Sequence, residues 1–223
     1  PERVRVAFAR LRSELSIPEG FPPEVLDEAR ASALRDDYAA ERLDLRDLPF
    51  VTIDPPGSKD LDQAVHLSRS GAGGYVVDYA IADVGRIVQA GGAVDTEAQL
   101  RGVTFYAPDG RTPLHPPVLS EDSASLLPGV DRAAAAWRIE LDERGEILDV
   151  TVRRALVRSR AQLTYTEVQD ALDAETSDEV LVLLREVGAL REARERDRGG
   201  VSIDVPEQNV TLHDDGTYSI ELR

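Results

Sequence analysis

The sequence predicts an α+β fold: a mixed or antiparallel sheet with flanking helices, preceded by a small helical segment. Three observations carry this prediction. β-like runs come in pairs around turn chemistry, as at residues 64–68 and 75–81 about Ser70 and Gly71. Helical periodicity is concentrated towards the two ends of the chain. With 42% apolar and 30% charged residues, the 223-residue chain can bury a substantial core in one large domain or two small ones.

At the N-terminal end, Val4, Phe8, Leu11 and Leu15 recur at helical spacing until Pro18-Glu19-Gly20. A second helix is expected from Pro22-Pro23, where proline suits the first turn, with Val25, Leu26, Ala29 and Ala33 on one face. Residues 36–47 are charged and predict an exposed linker, which sets a boundary. Residues 1–47 then form a helical segment with its linker, and residues 48–223 a mixed domain. Arg3, Arg5, Arg10 and Arg12 could contact a phosphate backbone, although a solvated helix face is the commoner use of such spacing.

Strands are expected at 50–53, 64–68 and 75–81. Asp95 is placed to cap a short helix through Leu100, with Gly102 as its stop. Residues 103–107 are β-like, closed by Pro108-Asp109-Gly110-Arg111, and the proline-rich 114–117 reads as a surface loop. Ser120 opens one helical turn towards Leu126. Two long strands follow at 134–141 and 147–158, joined by Asp142-Glu143-Arg144-Gly145. Thr164-Tyr165-Thr166-Glu167 is a capping box that starts a helix burying Val168, Ala171 and Leu172. Ser177 opens the longest helix, with Val180, Leu183, Leu184, Val187 and Leu190 on one stripe and Gly199-Gly200 at its end. A hairpin of residues 209–213 and 218–222 turns at Asp214-Asp215-Gly216.

Composition narrows the function. A net charge of −16 argues against broad attraction to nucleic acid or membrane, so an RNA partner needs a local basic groove or a bridging cation. No apolar run approaches the ~18 residues of a membrane span, and no membrane partner is expected. Without cysteine there is no disulfide or thiolate site, which fits a reducing cytosol and predicts a cytoplasmic location. His66, His115 and His213 are too scattered for a metal cluster or a triad. Neither Ser58 nor Ser120 sits in a G-x-S-x-G elbow, and the glycines at 71–74 lack the lysine of a P-loop.

The chemistry gathers in F-V-T-I-D-P-P-G-S-K-D-L-D-Q-A-V, residues 50–65, where Asp54, Asp60 and Asp62 fall within nine residues. Carboxylates held together at neutral pH either splay into water or share a cation. All-oxygen ligands favour Mg²⁺ or Mn²⁺, which can align water and steady a leaving oxygen in phosphodiester displacement. Asp beside Pro and Gly is also ordinary turn chemistry, and an isolated D-x-D is a weak signal. The arginines Arg153, Arg154, Arg158 and Arg160 form the basic cluster of the mixed domain. Arg153, Arg158 and Arg160 could track an RNA backbone; alternating arginines on a solvated strand face account for them equally well.

Residues 50–65 resemble the signature of the ribonuclease II (RNB-domain) family, in which I-D-P is followed after a short gap by D-x-D-D-A. The resemblance continues in order. Tyr79-Ala80-Ile81-Ala82-Asp83-Val84 is similar to the family's H-I-A-D-V strand. Arg101 to Tyr106, Pro113 to Pro116, Leu119-Ser120 and Ser125 to Gly129 resemble its R-G-x-S-x-Y, P-x-L-P, L-S and S-L-x-P-G blocks. Leu163 to Val168, Arg198-Gly199-Gly200 and Pro206-Glu207 extend the match, which covers residues 48–207.

The resemblance implies a hydrolytic 3′→5′ exoribonuclease that degrades single-stranded RNA to nucleoside 5′-monophosphates with Mg²⁺, Mn²⁺ being the alternative. By position, Asp54, Asp60 and Asp62 would be metal and catalytic carboxylates, with Asp62 the most critical, and Tyr106 would stack on the 3′-terminal base. The family's fourth aspartate is Gln63 here, a neutral oxygen ligand, so weaker metal binding is expected. That departure keeps open a catalytically weakened or inactive RNA-binding member of the same fold. A D-x-D nucleotidyl- or glycosyltransferase is a third reading, disfavoured by the ordered blocks. Residues 1–47 show no cold-shock pattern. The sequence stops short of the family's later catalytic arginine and S1 domain, and it has no methionine. It is therefore expected to be the N-terminal half of a catalytic domain, inactive by itself and completed by a longer parent chain or a second polypeptide.

Overall fold

In the computed structural model, residues 2–35, 42–71, 73–201, 203, 205–206, 208–213 and 215–222 are described. Residues 36–41 of the expected linker, Asp214 of the final turn and Glu207 of the family resemblance lie outside them, as does the side chain of Arg3.

Helices α1 (Glu2–Glu14) and α2 (Pro23–Ala33) open the chain, α2 with proline in its first turn as expected. Strands β1 (Leu43–Asp44), β2 (Phe50–Ile53), β3 (Gln63–Arg69) and β4 (Tyr75–Ala82) follow. Next come the short helix α3 (Val84–Ile87), helix α4 (Ala93–Arg101), the hairpin β5 (Phe105–Ala107) and β6 (Gly110–Thr112), and a π-helical turn at Leu119–Ser123. The long strands β7 (Asp131–Leu141) and β8 (Ile147–Leu163) precede α5 (Tyr165–Asp173), α6 (Glu179–Asp197) and the hairpin β9 (Gln208–Leu212) and β10 (Tyr218–Leu222).

Six strands make one mixed sheet in the order β1-β8-β2-β3-β4-β7. β7 also pairs with β8, so β2, β3, β4, β7 and β8 close a ring. The closure depends on the length of β8. Its residues up to Arg158 run antiparallel to β7, while Ser159 to Leu163 run parallel to β2. β1, within the stretch expected to be an exposed linker, pairs parallel with Ala155 and Leu156 of β8.

Alternation in the strands sorts side chains onto two faces. One face carries Ala64, Ala80, Ala134, Ala136 and Ala155, small residues that leave room for the buried Phe50, Leu61, Leu126 and Val157. The other carries Val51, Leu67, Tyr75 and Leu141, covered by Val180, Leu183 and Val187 of α6, the stripe expected from the sequence. A third cluster joins Val25 and Ala29 of α2 to Ile87, Val94 and Leu119.

A local signal sets the start of α5. The Thr164 hydroxyl accepts from the Glu167 N–H at 3.2 Å and the Glu167 carboxylate accepts from the Thr164 N–H at 2.8 Å, closing the expected capping box. The start of α4 differs from expectation. Asp95 lies in its first turn and accepts from the Gly91 N–H, while Glu28 of α2 accepts from the Ala93 N–H at 2.6 Å. A Cβ at Gly92 would stand 2.5 Å from the Glu28 carboxylate, so this cap from a distant helix requires glycine there. The turn expected from Ser120 is instead a π-turn from Leu119, and the Leu119 and Ser120 N–H groups both donate to the Pro116 carbonyl.

Candidate active site

The site grows out of the loop between β2 and β3. Asp54 follows directly on β2, its N–H donating to the Leu163 carbonyl at 2.9 Å. Pro55-Pro56 and Gly57, at φ +80°, then turn the chain. Glycine is the residue that adopts that left-handed conformation without strain. Gln162 donates to the Ser58 carbonyl at 2.9 Å and pins the far side of the turn.

Leu61 anchors the loop from below. It is fully buried among Phe50, Ala64 and Leu126, a burial that contributes about 2 kcal/mol. Ser125, 2% exposed, holds the backbone around it: its hydroxyl donates to the Lys59 carbonyl at 2.6 Å and accepts from the Leu61 N–H at 3.0 Å. The Leu126 N–H donates to the Leu61 carbonyl at 2.7 Å, and the Ala82 N–H to the Asp62 carbonyl at 2.9 Å. With Leu61 pulled inward, Asp60 and Asp62 on either side line a cavity of about 240 Å³. Tyr106, Arg111, His115 and Ser120 line it too.

Arg111 is the charge partner there. Its guanidinium donates to Asp60 Oδ2 at 2.8 Å and to Glu121 Oε1 at 2.6 Å. The bond to Asp60, above all, raises its already high pKa further, so it stays protonated. Asp54 behaves differently. Burial first, then repulsion from Asp62 and Asp60, pushes its carboxyl above the ordinary aspartate range. Its Oδ2 is buried, and the neighbouring Thr52 hydroxyl acts against that shift. Gln63 Oε1 accepts from the Tyr79 hydroxyl, whose proton is held by burial and by the nearby Asp62. Burial lowers the pKa of His115, which favours the neutral ring. Among the described residues no three His, Asp or Glu side chains converge as a ready-made cation cage.

Tyr106 stands 75% exposed at the rim of this cavity and of a larger groove of about 640 Å³ under α1. Arg12 of α1 grips Asp109 with two bonds of 2.7 and 2.9 Å and ties the hairpin that carries Tyr106 to that helix. Arg10 pairs instead with Glu14. Asp83 of the I-A-D-V block turns away from the cavity to the buried Arg42, at 2.8 Å. None of Arg153, Arg158 and Arg160 lines the cavity. Arg158 bonds Asp131 at 2.6 Å and Arg160 lies 3.5 Å from Asp178, while Arg153 is exposed.

Sequence reading missed Arg111, Glu121 and Ser125. The signal for Arg111 was present: Pro108-Asp109-Gly110 stops one strand and returns the next, setting Arg111 opposite Tyr106. Ser125 stood only as the first residue of the S-L-x-P-G block, and its role was not legible there because both of its partners lie more than sixty residues away.

The RNB domain family model matches residues 42–222. Ribonuclease R of Chlamydia muridarum is 32% identical over 211 residues, covering 92% of this chain and 30% of that protein. The chain thus spans about a third of the length of such curated relatives. Among solved structures, Mycoplasma genitalium RNase R in complex with ribose-methylated single-stranded RNA superposes with a TM-score of 0.85 at 26% identity, over 93% of this chain and 34% of that one. Yeast Ssd1, a pseudonuclease, shares the fold at a TM-score of 0.63 and 21% identity, over 70% of this chain and 20% of its own.

Proposed function

This chain belongs to the RNB-domain family, and we propose that it supplies the carboxylate half of a hydrolytic 3′→5′ exoribonuclease active site, which shortens single-stranded RNA to nucleoside 5′-monophosphates. The observation that carries the reading is one cavity lined by Asp60, Asp62 and the exposed Tyr106, on a loop pinned by the buried Ser125.

The donor set fits a hard divalent cation, Mg²⁺ or Mn²⁺. Asp54 Oδ2 is buried, and the charges of Asp62 and Asp60 both bear on it, a repulsion that a cation would relieve. Asp54, Asp60 and Asp62 would hold the ion, and Gln63 would join them by giving up its bond to Tyr79. When bound, the ion would supply charge neutralisation and a polarised water for phosphodiester hydrolysis. The chain's own residues do the rest. Leu61 and Ser125 keep Asp60 and Asp62 facing the cavity, and Tyr106 offers a face on which any terminal base can stack. Stacking is worth about 1–3 kcal/mol per base and reads no sequence, as stepwise degradation of mixed RNA requires. The remainder of the domain, in a longer parent chain or a second polypeptide, would complete the phosphate side. The absence of cysteine suits a cytoplasmic setting, and no helix among the described residues is long and apolar enough to cross a membrane.

Gln63 favours a second reading, an RNA-binding member with weakened or no turnover, since the fold by itself also belongs to a pseudonuclease. Full-length protein carrying this sequence, incubated with 5′-labelled RNA bearing a 3′ tail, distinguishes the two. Single-nucleotide shortening with 5′-monophosphate release, stopped by a chelator, is the expected result. RNA bound but left intact at every Mg²⁺ and Mn²⁺ concentration would overturn it in favour of the second reading.

A further inference from the structure

A cavity that is to receive RNA presents a problem of charge. Asp60 and Asp62 line it, Glu121 stands at its edge, and the chain as a whole carries −16. Among the described residues that line it, Arg111 is the sole lysine or arginine. Arg111 is about one-third exposed, and its fork is divided between two carboxylates, Asp60 Oδ2 at 2.8 Å and Glu121 Oε1 at 2.6 Å. Charge-assisted bonds of this length are strong for a partly exposed site, and the planar guanidinium suits phosphate oxygens as well as carboxylates.

Two geometric facts follow. Arg111 already neutralises Asp60 through Oδ2, so a divalent ion arriving at the same carboxylate sets a second cation against the guanidinium and weakens its hold. Arg111 is also the cross-strand partner of Tyr106 in the β5–β6 hairpin, which puts the two side chains on the same face of that ribbon. A guanidinium that let go of Asp60 would stay tethered by the hairpin and Glu121, beside the ring expected to hold the terminal base.

We propose that Arg111 is a phosphate-binding residue of this site, held in reserve by Asp60 and Glu121, and that a divalent cation arriving at Asp60 releases it onto the RNA backbone next to Tyr106. The proposal rests on the reading of Asp54, Asp60 and Asp62 as a cation site. It makes cation binding and RNA binding mutually reinforcing, since the ion removes the internal competitor for the phosphate.

The test uses full-length protein, Mn²⁺ titrated calorimetrically without RNA, and a phosphorothioate-linked RNA 12-mer that resists hydrolysis. Exchange of one charge-assisted bond predicts that Arg111→Met binds Mn²⁺ about tenfold more tightly than wild type, and in saturating Mn²⁺ binds the RNA about tenfold more weakly. Arg111→Lys keeps the charge but not the fork, and should fall between the two on both scales; it also serves if the methionine variant does not fold. Unchanged or weaker Mn²⁺ binding in both variants, or unchanged RNA affinity, would overturn the role of Arg111. If wild type and Asp62→Asn bind Mn²⁺ equally, the cation-site reading itself fails, a different outcome from the failure of Arg111.

Discussion

Replacing Ser125 by alanine removes one hydroxyl and tests whether the carboxylate loop depends on it. That hydroxyl makes two bonds, to the Lys59 carbonyl at 2.6 Å and from the Leu61 N–H at 3.0 Å. Leu61 is fully buried, so its N–H would be stranded without water, at a cost of about 1–3 kcal/mol. Lys59 is exposed and its carbonyl can rehydrate, which adds little. A loss of about 2 kcal/mol corresponds, for a chain of this size, to a Tm lower by about 4–8 °C. The Leu126 and Ala82 N–H groups still hold the carbonyls of Leu61 and Asp62, so the loop loosens without detaching. Misplacement of reacting groups by an ångström costs about 100-fold, so kcat at 25 °C should fall by about that factor while the protein remains folded. Circular-dichroism melting of this 223-residue chain measures the first effect, and a single-turnover RNA assay of the full-length protein with the same substitution measures the second. A variant that melts within a degree of wild type, or keeps full turnover, would refute the claim that Ser125 positions Asp60 and Asp62.

Tyr106→Ala should weaken single-stranded RNA binding by about 1–3 kcal/mol while Tyr106→Phe retains it; melting temperature should not move, because the ring is 75% exposed. Arg12→Ala should lower the midpoint of a urea titration at pH 7, by the small amount expected of a partly exposed pair. Hydrogen bonding to Arg12 depresses the folded-state pKa of Asp109, so this stabilisation is present above the ordinary aspartate value of about 3.9 and is lost as pH falls through the lower folded value. The gap between wild type and variant should close in acid, and a gap independent of pH would contradict it. Asp83→Ala should be more damaging, about 3–5 kcal/mol in the same titration, because it leaves Arg42 charged and buried, with only 8% of its side chain exposed.

What could be read from the sequence was what the chain decides locally. Alternation and turn residues delimit β2, β3 and β4, and the reciprocal bonds of Thr164 and Glu167 are written in four consecutive residues. The parallel pairing of β2 with β8 joins residues over a hundred positions apart, and no local pattern announces it. The same limit explains α4, whose start is fixed by Glu28 of another helix and not by the nearby Asp95. In the candidate site, Asp54, Asp60 and Asp62 were visible as a cluster, and Tyr106 through family resemblance. That Asp60 and Asp62 share a cavity with Tyr106 follows from the β5–β6 hairpin folding back over the loop. The arginines of β8 stand apart from that cavity: Arg158 bonds Asp131, which also receives Arg46 from the β1–β2 connection.

The claim that the loop from Asp54 to Asp62 is a hydrolytic centre is tested most directly by the rate of 5′-monophosphate release from single-stranded RNA by full-length protein carrying Asp62→Asn, an exchange that keeps the side chain's size and removes its charge. A fall of more than about 100-fold, with RNA still bound, is expected. Release at the wild-type rate would contradict it.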